Sequence, residues 1–189
     1  IPGNRLNLGT VEQTKLEVLF VDWLLLQNPR ETFGDRLCLP GQRFPGLGLA
    51  RELLQVIEYF CRQLDFYAIL AIPGHYHNAL IFSRYFRYID AVSEGRLQAL
   101  RRDLSAYPLA VASWAVELNC VRRHPSGETF KWYLDWQLLP VRTELEAHFS
   151  NKGYRSEVAR VEQNNRFFLD RERFERERLK IPKLEEVVI

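Results

Sequence analysis

Gln42-Arg43-Phe44-Pro45-Gly46-Leu47-Gly48-Leu49-Ala50 is the stretch on which the reading of this chain turns. Leu16-Glu17-Val18-Leu19-Phe20-Val21-Asp22-Trp23-Leu24-Leu25-Leu26 precedes it, and Phe66-Tyr67-Ala68-Ile69-Leu70-Ala71-Ile72-Pro73 follows. Their β-branched and aromatic content predicts strands over 15–27 and 66–72, the first apolar enough to be buried on both faces. A buried helix over 15–27 stays open, because periodicity does not separate the two. Between the runs, Leu49, Leu53, Val56, Ile57, Phe60, Cys61 and Leu64 recur at helical spacing and predict one wide buried face. Strand, glycine turn, helix, strand is the order that builds an anion-binding corner. Glycine lets a ligand approach the backbone, and a helix start offers unpaired N–H groups.

Outward from this core, residues 28–42 carry two Pro and two Gly and read as a loop. Residues 75–85 read as a helix with Asn78 near its start, 86–89 as a short strand and 92–104 as a helix. Two β-prone runs, 114–121 and 130–139, flank His124-Pro125-Ser126-Gly127-Glu128 and predict a hairpin. A short helix is expected over 143–149. One charged helix is expected over 154–180, with Val158, Val161, Phe168 and Leu169 inward and Pro182 as its stop. Residues 4–8 suggest a short strand. The expected fold is α/β, a mixed sheet flanked by helices. Residues 1–91 form its core, and 92–189 a helical and β-hairpin extension packed on it.

Composition narrows the function classes. The chain has 189 residues, enough for one domain with an added lobe. Its 26 basic and 24 acidic residues lack the basic excess of a nucleic-acid binder. No apolar run approaches the ~20 residues of a membrane span, and Ile1-Pro2-Gly3-Asn4 does not begin like a signal peptide. Three scattered cysteines, Cys38, Cys61 and Cys120, read as reduced thiols in a cytoplasmic setting.

Common phosphate motifs fail at the glycine corner. A P-loop requires Lys and Ser/Thr after the glycines, where this chain has Leu49-Ala50. A dinucleotide fold requires a third glycine where Arg51 stands, and an acidic residue after the second strand. Arg-x-x-Gly-x-Gly, written by Arg43, Gly46 and Gly48, does fit. In its strand–helix–strand context over about residues 15–90, it resembles the GNAT acyl-CoA-dependent N-acetyltransferase superfamily. The resemblance implies acetyl-CoA or another acyl-CoA as co-substrate. Its pyrophosphate would lie on the backbone of Arg43, Phe44, Pro45, Gly46, Leu47, Gly48, Leu49 and Ala50. The pantetheine would lie in a splay between the two strands, with Asn78 helping to position it. The implied acyl acceptor is an amine, on a small molecule or a protein.

The family's thiolate-protonating Tyr falls nearest Phe82, and Tyr85, one helical turn on, is the available replacement. Glu17 and Asp22 are the candidate bases. Their opposite parity lets at most one face the cleft, and Asp22 lies nearer the splay. A backbone N–H near Leu24–Leu26 would hold the thioester oxygen. Departures in the motif, Phe82 among them, leave a second expectation open, a catalytically degenerate acyl-CoA-binding protein. A third is an interaction module using Trp132 or Phe168. The long terminal helix suggests a homodimer as one arrangement. No metal site is expected: His75 and His77 are two residues apart and do not share a helix face. Cys38 with His75 as a nucleophile pair rests on loop position alone. Arg96, Arg101, Arg102, Arg122 and Arg123 read either as a patch for the CoA 3′-phosphate or as a solvated surface.

Overall fold

The computed structural model describes residues 16–22 and 24–181. In chain order the elements are β1 (Val18–Val21), α1 (Ala50–Gln63), β2 (Ala68–Ala71), α2 (Tyr76–Phe82), β3 (Arg87–Tyr88), α3 (Ala91–Asp103) and α4 (Leu109–Glu117). They continue with β4 (Val121–His124), β5 (Gln137–Pro140), α5 (Thr143–Ser150), α6 (Lys152–Asn164), β6 (Arg166–Leu169) and α7 (Arg171–Arg178). The fold is mixed α/β, as expected. The expected strand over 4–8 and the stop at Pro182 lie outside the described residues.

β1 and β2 pair in parallel from Val18↔Ala68 to Val21↔Ala71, with α1 as the crossover. The sheet order is β1-β2-β5-β3, and β5 runs antiparallel to both its neighbours. Strand alternation sorts the side chains onto two faces. Leu19, Val21, Ile69, Ala71 and Leu139 pack with Leu54, Ile57 and Cys61 of α1. Val18, Ala68, Leu70 and Leu138 face the other way, toward Leu145 of α5. A further core joins α2, α3 and α4 to the β4–β6 ribbon through Tyr88, Leu100, Phe130, Phe167 and Phe174.

The helix starts follow local chemistry. Asp90 Oδ2 accepts from the Ser93 N–H at 3.0 Å and caps α3. Asn151 caps α6 through the Gly153 N–H, and Asp170 caps α7 through the Arg173 N–H. Gly95 lets α3 approach α6 closely. A Cβ there would sit 2.7 Å from the Val158 carbonyl oxygen and from Val161 Cβ.

Four expectations are corrected. β1 is a strand and not a helix, but it stands at the end of the described sheet with Phe20 exposed, so it is not buried on both faces. On α1, Leu54, Ile57 and Cys61 meet the sheet, while Leu49, Val56, Phe60 and Leu64 are exposed, Leu64 by 63%. Residues 114–117 are the last turn of α4, because Ala110, Ala112 and Ala115 supply helix propensity that the aromatic and β-branched count overlooked. The predicted hairpin survives only as a tight turn, with an isolated bridge Arg122↔Thr129. Its second run supplies β5, which inserts between β2 and β3, and β4 pairs instead with β6. The single helix over 154–180 is α6, β6 and α7. Phe167-Phe168-Leu169 breaks it with a β-prone run, and the Asp170 cap restarts it.

Candidate functional site

The parallel pairing of β1 with β2 stops at Val21 and Ala71. Beyond that row the two strands leave toward different partners. On the β1 side, Gln27 bridges to Gly46. The Leu47 N–H donates to the Leu26 carbonyl at 3.0 Å, and the Asn28 N–H donates to the Pro45 carbonyl at 2.7 Å. On the β2 side, Pro73 has no N–H with which to extend the ladder, and its carbonyl accepts from the Trp132 indole at 3.3 Å. The β1–β2 ladder therefore ends at Val21 and Ala71, and the carboxyl ends of parallel strands are where ligands of open α/β sheets bind.

The glycine corner is held against the segment that follows β1. Gln27 Oε1 accepts from the Arg43 N–H at 3.1 Å and the Phe44 N–H at 3.0 Å, so one side chain clamps the turn. Gly48 has φ +74°, a left-handed conformation that favours glycine. The N-cap of α1, Leu49, provides no side-chain cap, and the first intrahelical bond is Leu53 N–H to Leu49 carbonyl. The N–H groups of Ala50, Arg51 and Glu52 thus precede the helical ladder. Glu52 folds back on this end, where its own N–H and then the Arg51 guanidinium hold its carboxyl below the usual range. Arg43 and Arg51 are exposed, and Arg51 lies 3.2 Å from Glu52.

The other expected residues are distributed as follows. Glu17 and Asp22 flank β1 and are exposed. Alternation gives Glu17 the α1 face with Leu19, and gives Asp22 the opposite face with Phe20. Asn78 is half-buried on α2. Tyr85 lies in the turn after α2 and not on the helix, 41% exposed, with its N–H bonded to the Phe82 carbonyl. Phe82 packs its ring 5.5 Å from Phe86. The Leu26 carbonyl, within the segment expected to hold the thioester oxygen, is engaged by the corner.

His75, at the exit of β2, has its Nδ1 2.9 Å from Glu117 Oε2 of α4, and its ring stacks on His77 at 5.4 Å. His77 is buried, its Nδ1 has no partner, and burial followed by the nearby His75 lowers its pKa to about 4. It is a neutral core histidine. Among the described residues no group of three or more His, Cys, Asp or Glu is placed to hold a metal ion. The three cysteines are free and buried, and burial raises each thiol pKa, which makes them poor nucleophiles. Cys38 meets Trp114 through its carbonyl, at 2.7 Å. Arg102 holds Asp103 and the carbonyls of Glu162 and Asn165, and Arg122 holds Asp170.

A cleft of about 1110 Å³ opens on the sheet face opposite α1. Val18, Phe20, Leu70 and Trp136 floor it, with Phe20 and Trp136 rings 5.5 Å apart. Asp90, Asp135, His148 and Tyr154 also line it. Sequence reasoning missed this cleft, the Gln27 clamp and the His75–Glu117 pair. Each joins residues that are remote in the chain and carry no local motif. No family model, curated protein or solved structure matches this chain.

Proposed function

We propose that this chain transfers an acyl group, most simply acetyl, from acyl-CoA to an amine. The observation that carries the reading is the parting of β1 and β2 beside an uncapped helix start held by a clamped glycine turn. In this reading the diphosphate lies on the Gly48 turn and the N–H groups of Ala50 and Arg51, the Glu52 N–H being taken by its own carboxylate. The pantetheine runs between the ends of β1 and β2 past Asn78 and brings the thioester to the end of β2. The amine lone pair attacks the thioester carbonyl, the C–S bond breaks, and the CoA thiolate takes a proton. Asp22, on the Phe20 face, is assigned as base and Tyr85 as proton donor; Glu17 faces away from that side. The reduced cysteines suit a cytoplasmic setting. Among the described residues no helix is long and apolar enough to cross a membrane.

The phenyl ring at position 82, which has no proton to give, favours a second reading as an acyl-CoA-binding protein without turnover. Thiol release from acetyl-CoA across a panel of primary amines separates the two. Acyl transfer predicts release that falls about 100-fold in Asp22→Asn. Acetyl-CoA binding with no release from any amine would leave the binding protein.

A further inference from the structure

We infer that the cleft opposite α1 binds a primary ammonium carried on a flat apolar body, an arylalkylamine, as the acyl acceptor. The role as acceptor rests on the acyl-transfer reading; the binding does not. The cleft lies on the face of the sheet opposite α1. Its floor ends at Phe20 and Leu70, the last facing pair on that side before β1 and β2 part. A ligand on this floor reaches a thioester at the end of β2 from the face opposite α1.

The lining chemistry selects the ligand. Phe20 and Trp136 present aromatic surface suited to a flat apolar group. Three carboxylates line the cleft, with no Lys or Arg among the lining residues. Glu157 is already paired with Arg160. Asp90 and Asp135 have no cationic partner among the described residues. Both approach one hydroxyl, Ser93 Oγ, at 3.0 Å from Asp90 Oδ2 and 2.5 Å from Asp135 Oδ2. Asp90 also accepts the Ser93 N–H at 3.0 Å and Asp135 the Trp136 N–H at 2.8 Å; these are neutral donors, and none of them balances the two negative charges. An ammonium brings three N–H donors and a positive charge to that position. The same field repels the phosphates of acyl-CoA, so the two substrates enter from opposite faces.

The cleft also sorts substrate from product. The ammonium gives up a proton to Asp22, the assigned base, and its nitrogen bonds the acyl carbon as the C–S bond breaks. The thiolate then leaves as the thiol. The product amide is neutral and loses the attraction to Asp90 and Asp135.

The test is calorimetric titration with 2-phenylethylamine, 2-phenylethanol and 3-phenylpropionate, without acyl-CoA. The amine is expected to bind at least tenfold more tightly than the alcohol, and the acid least of all. Asp135→Asn should remove about tenfold of the amine's advantage. Phe20→Ala, at an exposed position, should weaken amine and alcohol alike by several-fold. Equal binding of amine and alcohol, or an amine affinity unchanged within twofold in Asp135→Asn, overturns the inference. The fate of the acyl-transfer reading is read separately. Acetyl-CoA binding without amine binding sinks the cleft assignment alone. Amine binding without acetyl-CoA binding upholds the cleft as an ammonium site and sinks acyl transfer.

Discussion

Replacing Gly95 by Ala sets two physical effects against each other. Gly95 lies mid-helix in α3, where Ala is favoured by about 1 kcal/mol from propensity alone. Packing opposes this. The new Cβ would sit 2.7 Å from the Val158 carbonyl oxygen, 2.7 Å from Val161 Cβ and 2.9 Å from Val161 Cγ1. Two of these atoms are fixed to the backbone of α6, so neither yields by a rotamer change. The helices must move apart, at the upper end of the ~1–3 kcal/mol typical of overpacking. The net expectation is a loss of about 2 kcal/mol. For a chain of this size that lowers Tm by roughly 4–8 °C. Urea denaturation followed by circular dichroism reads the change directly. Because α6 carries Tyr154 and Glu157 along the cleft, the same variant should also weaken ligand binding there. A Gly95→Ala protein as stable as the parent, or more so, would show that propensity outweighs packing and refute the reasoning.

Three further outcomes are expected. His77 is held neutral with a pKa of about 4 against 6.5 unfolded, so only the unfolded state gains its proton as pH falls. Its effect on stability is absent above pH 6.5 and grows to a loss of roughly 3 kcal/mol near pH 4. His77→Leu should flatten that limb, costing less than about 1.5 kcal/mol at pH 7 because no hydrogen bond of Nδ1 is lost; an unchanged acid limb points to another group. Gln27→Ala removes the acceptor of two corner N–H groups and should weaken acetyl-CoA binding up to about tenfold with little change in Tm, measured by calorimetry and thermal melts. Asp170→Ala removes the α7 cap and the partner of Arg122 and should cost about 1–2 kcal/mol in denaturant unfolding; a cost near zero would mean the cap carries no net stability.

What the sequence disclosed followed the range of each signal. β1 and β2 with α1 between them, then α2, β3, α3 and α5, were readable because their periodicity and the turn residues between them are local. The destination of 130–139 was not. A β-prone run reveals its alternation but not which strand will accept it, and β5 pairs with β2 and β3 across about 50–70 residues of chain. α1 shows the limit of amphipathic reasoning. Its apolar stripe is wider than the surface β2 offers, so Val56 and Phe60 remain exposed. At the site, Gly46 and Gly48 marked the corner, and strand parity separated Glu17 from Asp22. Gln27, Glu117 and the Ser93–Asp135 contact were invisible, because their partners lie 16 to 42 residues away and only the fold brings them together.

The most direct test of the central claim is acetyl-CoA titration by calorimetry on the parent chain, Gly48→Asn and Gly48→Glu. Among the described residues nothing lies within 4 Å of a Cβ at this position, so both side chains have room. Asn tolerates the left-handed backbone and keeps the corner neutral, whereas Glu places an anion where the diphosphate is assigned. The account predicts binding by the parent, binding retained within several-fold in Gly48→Asn, and binding abolished in Gly48→Glu. No binding by the parent at near-millimolar acetyl-CoA, or equal binding by Gly48→Glu, would contradict it.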